Sequence, residues 1–119
     1  MEDWIEVCRI DDIPRLGART LARARGGSLA LFRNASYEVF ALLDRCPHKG
    51  GPLSQGIVFG RNVACPLHNW TIALDSGVAA APDEGCALSF AVRLDQGRVY
   101  MRSDALAGDH DTPEARGRG

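Results

Sequence analysis

The chain has 119 residues, with 14 Lys+Arg against 15 Asp+Glu and a formal net charge of −1, the size of one domain that can bury a core without disulfides. That balance gives no electrostatic case for nucleic acid, and no apolar run reaches the length of a membrane-crossing helix. MEDWIEVCRI carries early acids and no basic stretch ahead of an apolar one, so no secretory leader is read there and a soluble, cytoplasmic protein is expected.

In chain order, Trp4 to Ile10 is predicted as a first strand and Ala18 to Ala24 as a second, with a turn at Gly26-Gly27. Ser28 to Arg33 and Tyr37 to Leu43 follow, joined by Asn34-Ala35-Ser36. Both runs are apolar at nearly every position, as strands covered on both faces would be. Leu88, Phe90, Val92 and Leu94 alternate with Ser89, Ala91 and Arg93, the period of one half-buried strand. Asp95-Gln96-Gly97 then turns the chain into Arg98 to Arg102. No apolar stripe of helical period persists over three turns. The fold class expected is all-β: antiparallel strands from 1–43 and 73–102 form a base, a sandwich or barrel, that carries a small lobe at 44–72. The tail 103–119, with Leu106 as its one large apolar residue, buries too little to offset the entropy of ordering it and is expected to be mobile.

The lobe has a composition of its own. Residues 44–71 hold three of the six prolines, four of the 13 glycines and every Cys-His pair, which reads as loops around something rather than a packed layer. Asp44 and Arg45 read as a loop-entry pair. The chemistry lies in Cys46-Pro47-His48 and, after a gap of 16 residues (49–64), Cys65-Pro66-Leu67-His68. Common zinc fingers pair cysteine with cysteine and histidine with histidine; here each loop supplies one of each. Two readings fit: a structural zinc, or a [2Fe–2S] cluster with Cys46 and Cys65 on one iron and His48 and His68 on the other. The second accounts for more. Lys49-Gly50-Gly51-Pro52 lets backbone N–H groups approach inorganic sulfides, which a zinc site lacks. Two thiolates also balance the dicationic oxidised core, so the centre as a whole is neutral and an electron enters more easily than at a four-thiolate cluster.

At these residues the sequence resembles the Rieske family. The stretches Asp44 to Gly56 and Val63 to Trp70, with Pro82-Asp83-Glu84-Gly85-Cys86, are similar to the small subunit of NAD(P)H-dependent nitrite reductase. Asn69, where many Rieske proteins have Gly, is a feature of that branch. The resemblance implies a domain over 1–102 and a Rieske-type [2Fe–2S] cofactor. It also implies a larger partner subunit that binds NAD(P)H, flavin and sirohaem and reduces nitrite to ammonia. This chain would be an electron-transfer component without catalytic residues of its own. The alternative within the family is a free-standing ferredoxin that delivers electrons to an oxygenase.

Respiratory Rieske proteins carry an extra cysteine in each loop; Gly51 and Leu67 stand there instead, so no such disulfide forms. Asn69 and Trp70 replace their hydroxyl donors to sulfur. Fewer donors stabilise the reduced cluster less, and a midpoint near the low end of the Rieske range is expected. Exposed imidazole N–H groups would also couple electron uptake to proton uptake at alkaline pH. Supporting or docking roles fall to Lys49 (the one lysine in the chain), Gly50, Gly51, Pro66 and Trp70, the last either shielding the cluster or lining its electron-exit surface. Trp4 reads as core, Cys8 and Cys86 as small thiols, and His110 as a solvated residue of the tail.

Overall fold

The described parts of the chain are residues 4–23, 27–45, 52–65, 70–79 and 87–107 of a computed structural model. In order they form β1 (Trp4–Arg9), β2 (Gly17–Leu21), β3 (Leu29–Arg33), β4 (Val39–Leu43), β5 (Ile57–Phe59), β6 (Asn62–Ala64), β7 (Thr71–Ala73), β8 (Ser89–Phe90), β9 (Val92–Asp95) and β10 (Arg98–Arg102). One helical turn, α1 (Ser103–Ala107), follows. All strand pairs are antiparallel, in three sheets of order β1-β10-β9, β2-β3-β4-β8 and β5-β6-β7.

The β2-β3-β4-β8 sheet is the middle layer, which explains the two all-apolar segments. Side chains alternate across a strand. Leu29, Leu31 and Ala41 therefore pack with Val99 and Met101 of the β1-β10-β9 sheet. Ala30, Phe32 and Leu42 point the other way, to Val58, Val63 and Ile72 of the β5-β6-β7 sheet. All five residues of β3 are buried. Even Arg33 lies inside, its Nη1 donating to the carbonyls of Ile10 and Ile13 at 3.3 and 3.1 Å, with its guanidinium over the ring of Tyr37. It braces the corner where the chain leaves β1.

Four expectations need correction. The region 44–72 is more than loops, because β5, β6 and β7 give it a sheet. Strands of three residues are too short to show a period, so only the buried Val58, Val63 and Ile72 reveal it. The run 88–94 is two strands rather than one. Phe90 pairs with Ala41 in the middle sheet and Val92 with Met101 in the outer one, the chain crossing between layers at Ala91. Alternation survives that crossing, so the pattern alone does not show it. Residues 103–107 are also packed: Ala105 is buried and Leu106 rests against the β1-β10-β9 layer, where the Arg23 guanidinium donates to the Ala105 carbonyl at 3.0 Å. Two small contacts over an open core edge suffice, though the composition is polar; residues 108–119 lie outside the described part. Trp4, finally, is partly exposed rather than core. Smaller shifts are that Ile10 begins a 3₁₀ turn and that the second strand is Gly17–Leu21.

The turns follow local chemistry. Gln96 and Gly97 both have positive φ, 52° and 77°, the two-residue geometry that matches the right-handed twist of paired strands. Between β3 and β4, Asn34 is buried with every side-chain group used. Its Oδ1 accepts from the N–H of Ser36 and Glu38, while Nδ2 donates to Glu38 Oε1 at 2.8 Å and to the Gly60 carbonyl at 3.0 Å. Gly60 belongs to the β5-β6 turn, so this amide ties the middle sheet to the lobe.

Candidate metal centre

Register brings the described stems of the two Cys-His segments to one end of the lobe sheet. Ile57 at the start of β5 pairs with Ala64 at the end of β6, which pairs with Thr71 at the start of β7. The chain thus enters β5 from the first Cys-His segment at the same end where it leaves β6 for the second. Of the predicted ligands, Cys65 is described; Cys46, His48 and His68 lie outside the described residues, as do Lys49, Gly50, Gly51, Pro66 and Cys86.

Each segment is closed by hydrogen bonds at its stem. The Cys65 N–H donates to the Trp70 carbonyl at 2.7 Å, pinching 65–70 at the tip of the β6-β7 hairpin. At the other stem, Asp44 accepts from the Ser54 N–H at 2.7 Å and the Ser54 hydroxyl at 2.8 Å. Asp44 directly follows β4, and Ser54 sits in a 3₁₀ turn (Leu53–Gln55) whose Leu53 is fully buried. The carboxylate therefore closes a ten-residue span that contains Cys46 and His48. Sequence reasoning saw Asp44 only as a loop-entry residue and passed over Ser54. An acceptor just before the first cysteine and a hydroxyl in a turn just after the Gly-Gly-Pro was the available signal.

Gly56 completes the stem. A Cβ there would stand 2.2 Å from the Ala64 carbonyl oxygen and 2.9 Å from Val63, so the turn presses directly onto β6, next to Cys65. The side chain of Cys65 is 1% exposed, within an apolar cluster that includes Phe32, Leu42, Leu53, Val63 and Ile72, and Trp70 is half-buried against the same cluster. An apolar wall opposes a bare thiolate, whereas a bound cation removes that cost. With two thiols and two imidazoles in the segments, this environment fits the inner iron of a mixed Cys/His cluster. Cys8 has different surroundings: it is buried in β1, on the far side of the middle sheet, and burial pushes its thiol pKa up.

Three antiparallel sheets, with the buried Cys65 at one end of the lobe sheet and both Cys-His segments leaving the described structure there, fit a carrier of a bound metal centre. The chain belongs to the Rieske [2Fe-2S] domain family, whose model matches residues 3–96, and such a domain binds a [2Fe–2S] cluster and transfers electrons. Among curated proteins it is similar to the ferredoxin component of the naphthalene 1,2-dioxygenase/salicylate 5-hydroxylase systems of Ralstonia, at 27% identity over 87% of this chain and 98% of that one. It is 50% identical over 58 residues to the 4β-methylsterol monooxygenase of Methylococcus capsulatus, matching 47% of this chain but only 16% of that protein's length. Among solved structures, NirD of Escherichia coli superposes with a TM-score of 0.71 and 26% identity over 87% of this chain and 98% of that one. Solved structures described as putative nitrite reductase small subunits and as the ferredoxin of carbazole 1,9a-dioxygenase are thus both neighbours of the fold. Among the described residues, no helix is long and apolar enough to cross a membrane.

Proposed function

We propose that this chain is the Rieske electron-transfer subunit of an assimilatory, cytoplasmic NAD(P)H nitrite reductase. In this reading Cys46 and Cys65 supply thiolate ligands and His48 and His68 supply imidazoles. The observation that carries it is the run Asp44 to Gly56, where Cys46-Pro47-His48-Lys49-Gly50-Gly51-Pro52 is closed by the Asp44–Ser54 bonds. Near-complete mutual coverage with NirD supports it.

When bound, the cluster supplies one-electron transfer. The protein's part is to hold it and to control its surroundings. Asp44 and Ser54 fix the first segment, and the Cys65–Trp70 backbone bond fixes the second. The Cys65 wall keeps water from the thiolate side, and Trp70 covers the flank of that wall. Lys49, Gly50, Gly51 and Pro66 serve backbone approach and partner docking. The larger flavin-, sirohaem- and NAD(P)H-binding subunit would supply the catalysis.

A second reading, a ferredoxin serving an oxygenase, is favoured by the full-length match to the Ralstonia ferredoxin component. Iron and acid-labile sulfide analysis, with EPR of the dithionite-reduced protein, comes first: two of each per chain is the expected result, whereas stoichiometric zinc without sulfide overturns both readings. The loaded chain is then mixed with the nitrite reductase large subunit. A stable complex whose nitrite-dependent NAD(P)H oxidation falls with His68→Ala supports the first reading. Reduction by a flavin reductase without a stable large-subunit complex supports the second.

A further inference from the structure

Among the described residues, the outer face of the lobe sheet carries no charged side chain. Facing inward are Val58, Val63 and Ile72, all buried. Alternation puts Ile57 and Phe59 of β5, Asn62 and Ala64 of β6, and Thr71 and Ala73 of β7 on the opposite face. A fourth short segment extends it: Ala79 bridges Ile72, and the Ala73 N–H donates to the Val78 carbonyl at 2.9 Å, which sets Val78 beside Ala73. Ile57 is 71% exposed, Val78 51% and Phe59 45%. The row formed by Ile57, Ala64 and Thr71 is the end from which both ligand-bearing segments leave. The charged residues Arg61 and Asp75 lie in the turns at the other end.

We propose that this strip, centred on Ile57 and Phe59, seats the redox partner by apolar contact. The proposal rests on the electron-transfer reading of the adjoining centre. A partner that exchanges electrons there approaches this end of the sheet, and among the described residues of the strip Ile57 is the exposed apolar side chain in the end row. Size excludes self-association as the strip's main use. Four strands about 4.8 Å apart and three residues long span about 14 by 10 Å, far below the roughly 800 Å² per partner of a stable dimer. The strip therefore serves as the apolar part of a transient contact that continues onto the partner-facing centre. The strip itself adds no charged side chain to that contact, so its own contribution should be insensitive to salt, and charge at the docking site comes from Lys49 of the first Cys-His segment.

The test measures Kd by biolayer interferometry between the cluster-loaded chain and the nitrite reductase large subunit, at 50 and 500 mM salt. The ratio of the Val78→Ala Kd to the wild-type Kd is expected to change less than threefold between the two salts. Ile57→Asp and Val78→Asp should each weaken binding about tenfold, with melting temperature, EPR spectrum and midpoint unchanged. Leu94→Asp, at an exposed apolar site on β9, should bind as wild type. If the wild-type chain does not bind the large subunit, the nitrite reductase reading fails by itself, and the comparison runs against the terminal oxygenase of a ferredoxin-dependent system. Equal Kd for wild type and Ile57→Asp with the partner that binds overturns the strip. So does failure to bind either partner, or a wild-type dimer in sedimentation that Ile57→Asp dissociates.

Discussion

Replacing Gly56 by alanine should damage the lobe strongly for a single added methyl. The added Cβ would stand 2.2 Å from the Ala64 carbonyl oxygen, about 1 Å inside ordinary contact. Its obstacle is the backbone of a paired strand, which cannot rotate aside, and Val63 blocks the lateral escape at 2.9 Å. Relief requires β5 and β6 to part where they pair at Ile57 and Ala64, beside Cys65. Overpacking against a fixed neighbour costs about 3 kcal/mol. Gly60 is the internal control: it has φ +58° and nothing within 4 Å of a built Cβ, so Gly60→Ala carries only the left-handed backbone cost of about 1 kcal/mol. With an m-value of about 1.5 kcal/mol/M, the urea midpoints of the two variants should differ by about 1.3 M. Both midpoints are measured on the cluster-loaded protein, and the rate of visible bleaching under chelator is followed in parallel. Gly56→Ala should bleach faster than wild type and Gly60→Ala should not. A Gly56→Ala midpoint at or above that of Gly60→Ala would refute the claim that the stem is held by backbone contact.

Asp44→Ala removes the acceptor of two bonds to Ser54 and should cost about 2 kcal/mol, against about 1 kcal/mol for Ser54→Ala, which keeps the backbone bond. Chelator bleaching should accelerate in the same order, and equal rates for the two variants would show that the carboxylate acts elsewhere. The Asn34 amide first, and Arg61 second, hold the Glu38 carboxyl below its usual range. Its contribution is therefore present above the ordinary carboxylate pKa and is lost as pH falls through the lowered value. Glu38→Gln should flatten the acid limb of a stability–pH curve below about pH 4.5, and an unchanged limb would count against it. Redox titration should place the cluster midpoint near −150 mV, the low end of the Rieske range, because Gly51, Leu67, Asn69 and Trp70 replace the disulfide and hydroxyl donors; a strongly positive midpoint would exclude that account.

Some features were legible in the residues because they are local. Cys46-Pro47-His48 and Cys65-Pro66-Leu67-His68 point to the Rieske family through donor type and spacing, which depend on no distant contact, though of the four donors only Cys65 is among the described residues. SLALFR and YEVFALL announce strands covered on both faces, and Asp95-Gln96-Gly97 a tight hairpin, because period and turn chemistry operate within a few residues. What covers those two faces is not local. Only the folded chain shows that one β-layer lies on each side of β3, that residues 88–94 divide between two sheets at Ala91, and that Ala105 and Leu106 close an open edge. Strands of three residues show no period, so the lobe sheet emerges only from pairing among Ile57, Ala64 and Thr71. The Asp44–Ser54 closure spans ten residues, the Asn34–Gly60 tie 26, and the contact that requires glycine at 56 is with a neighbouring strand. Side-chain chemistry and short-range period are written along the chain; which surfaces meet is decided by packing between segments far apart in it, and tertiary structure alone settled that here.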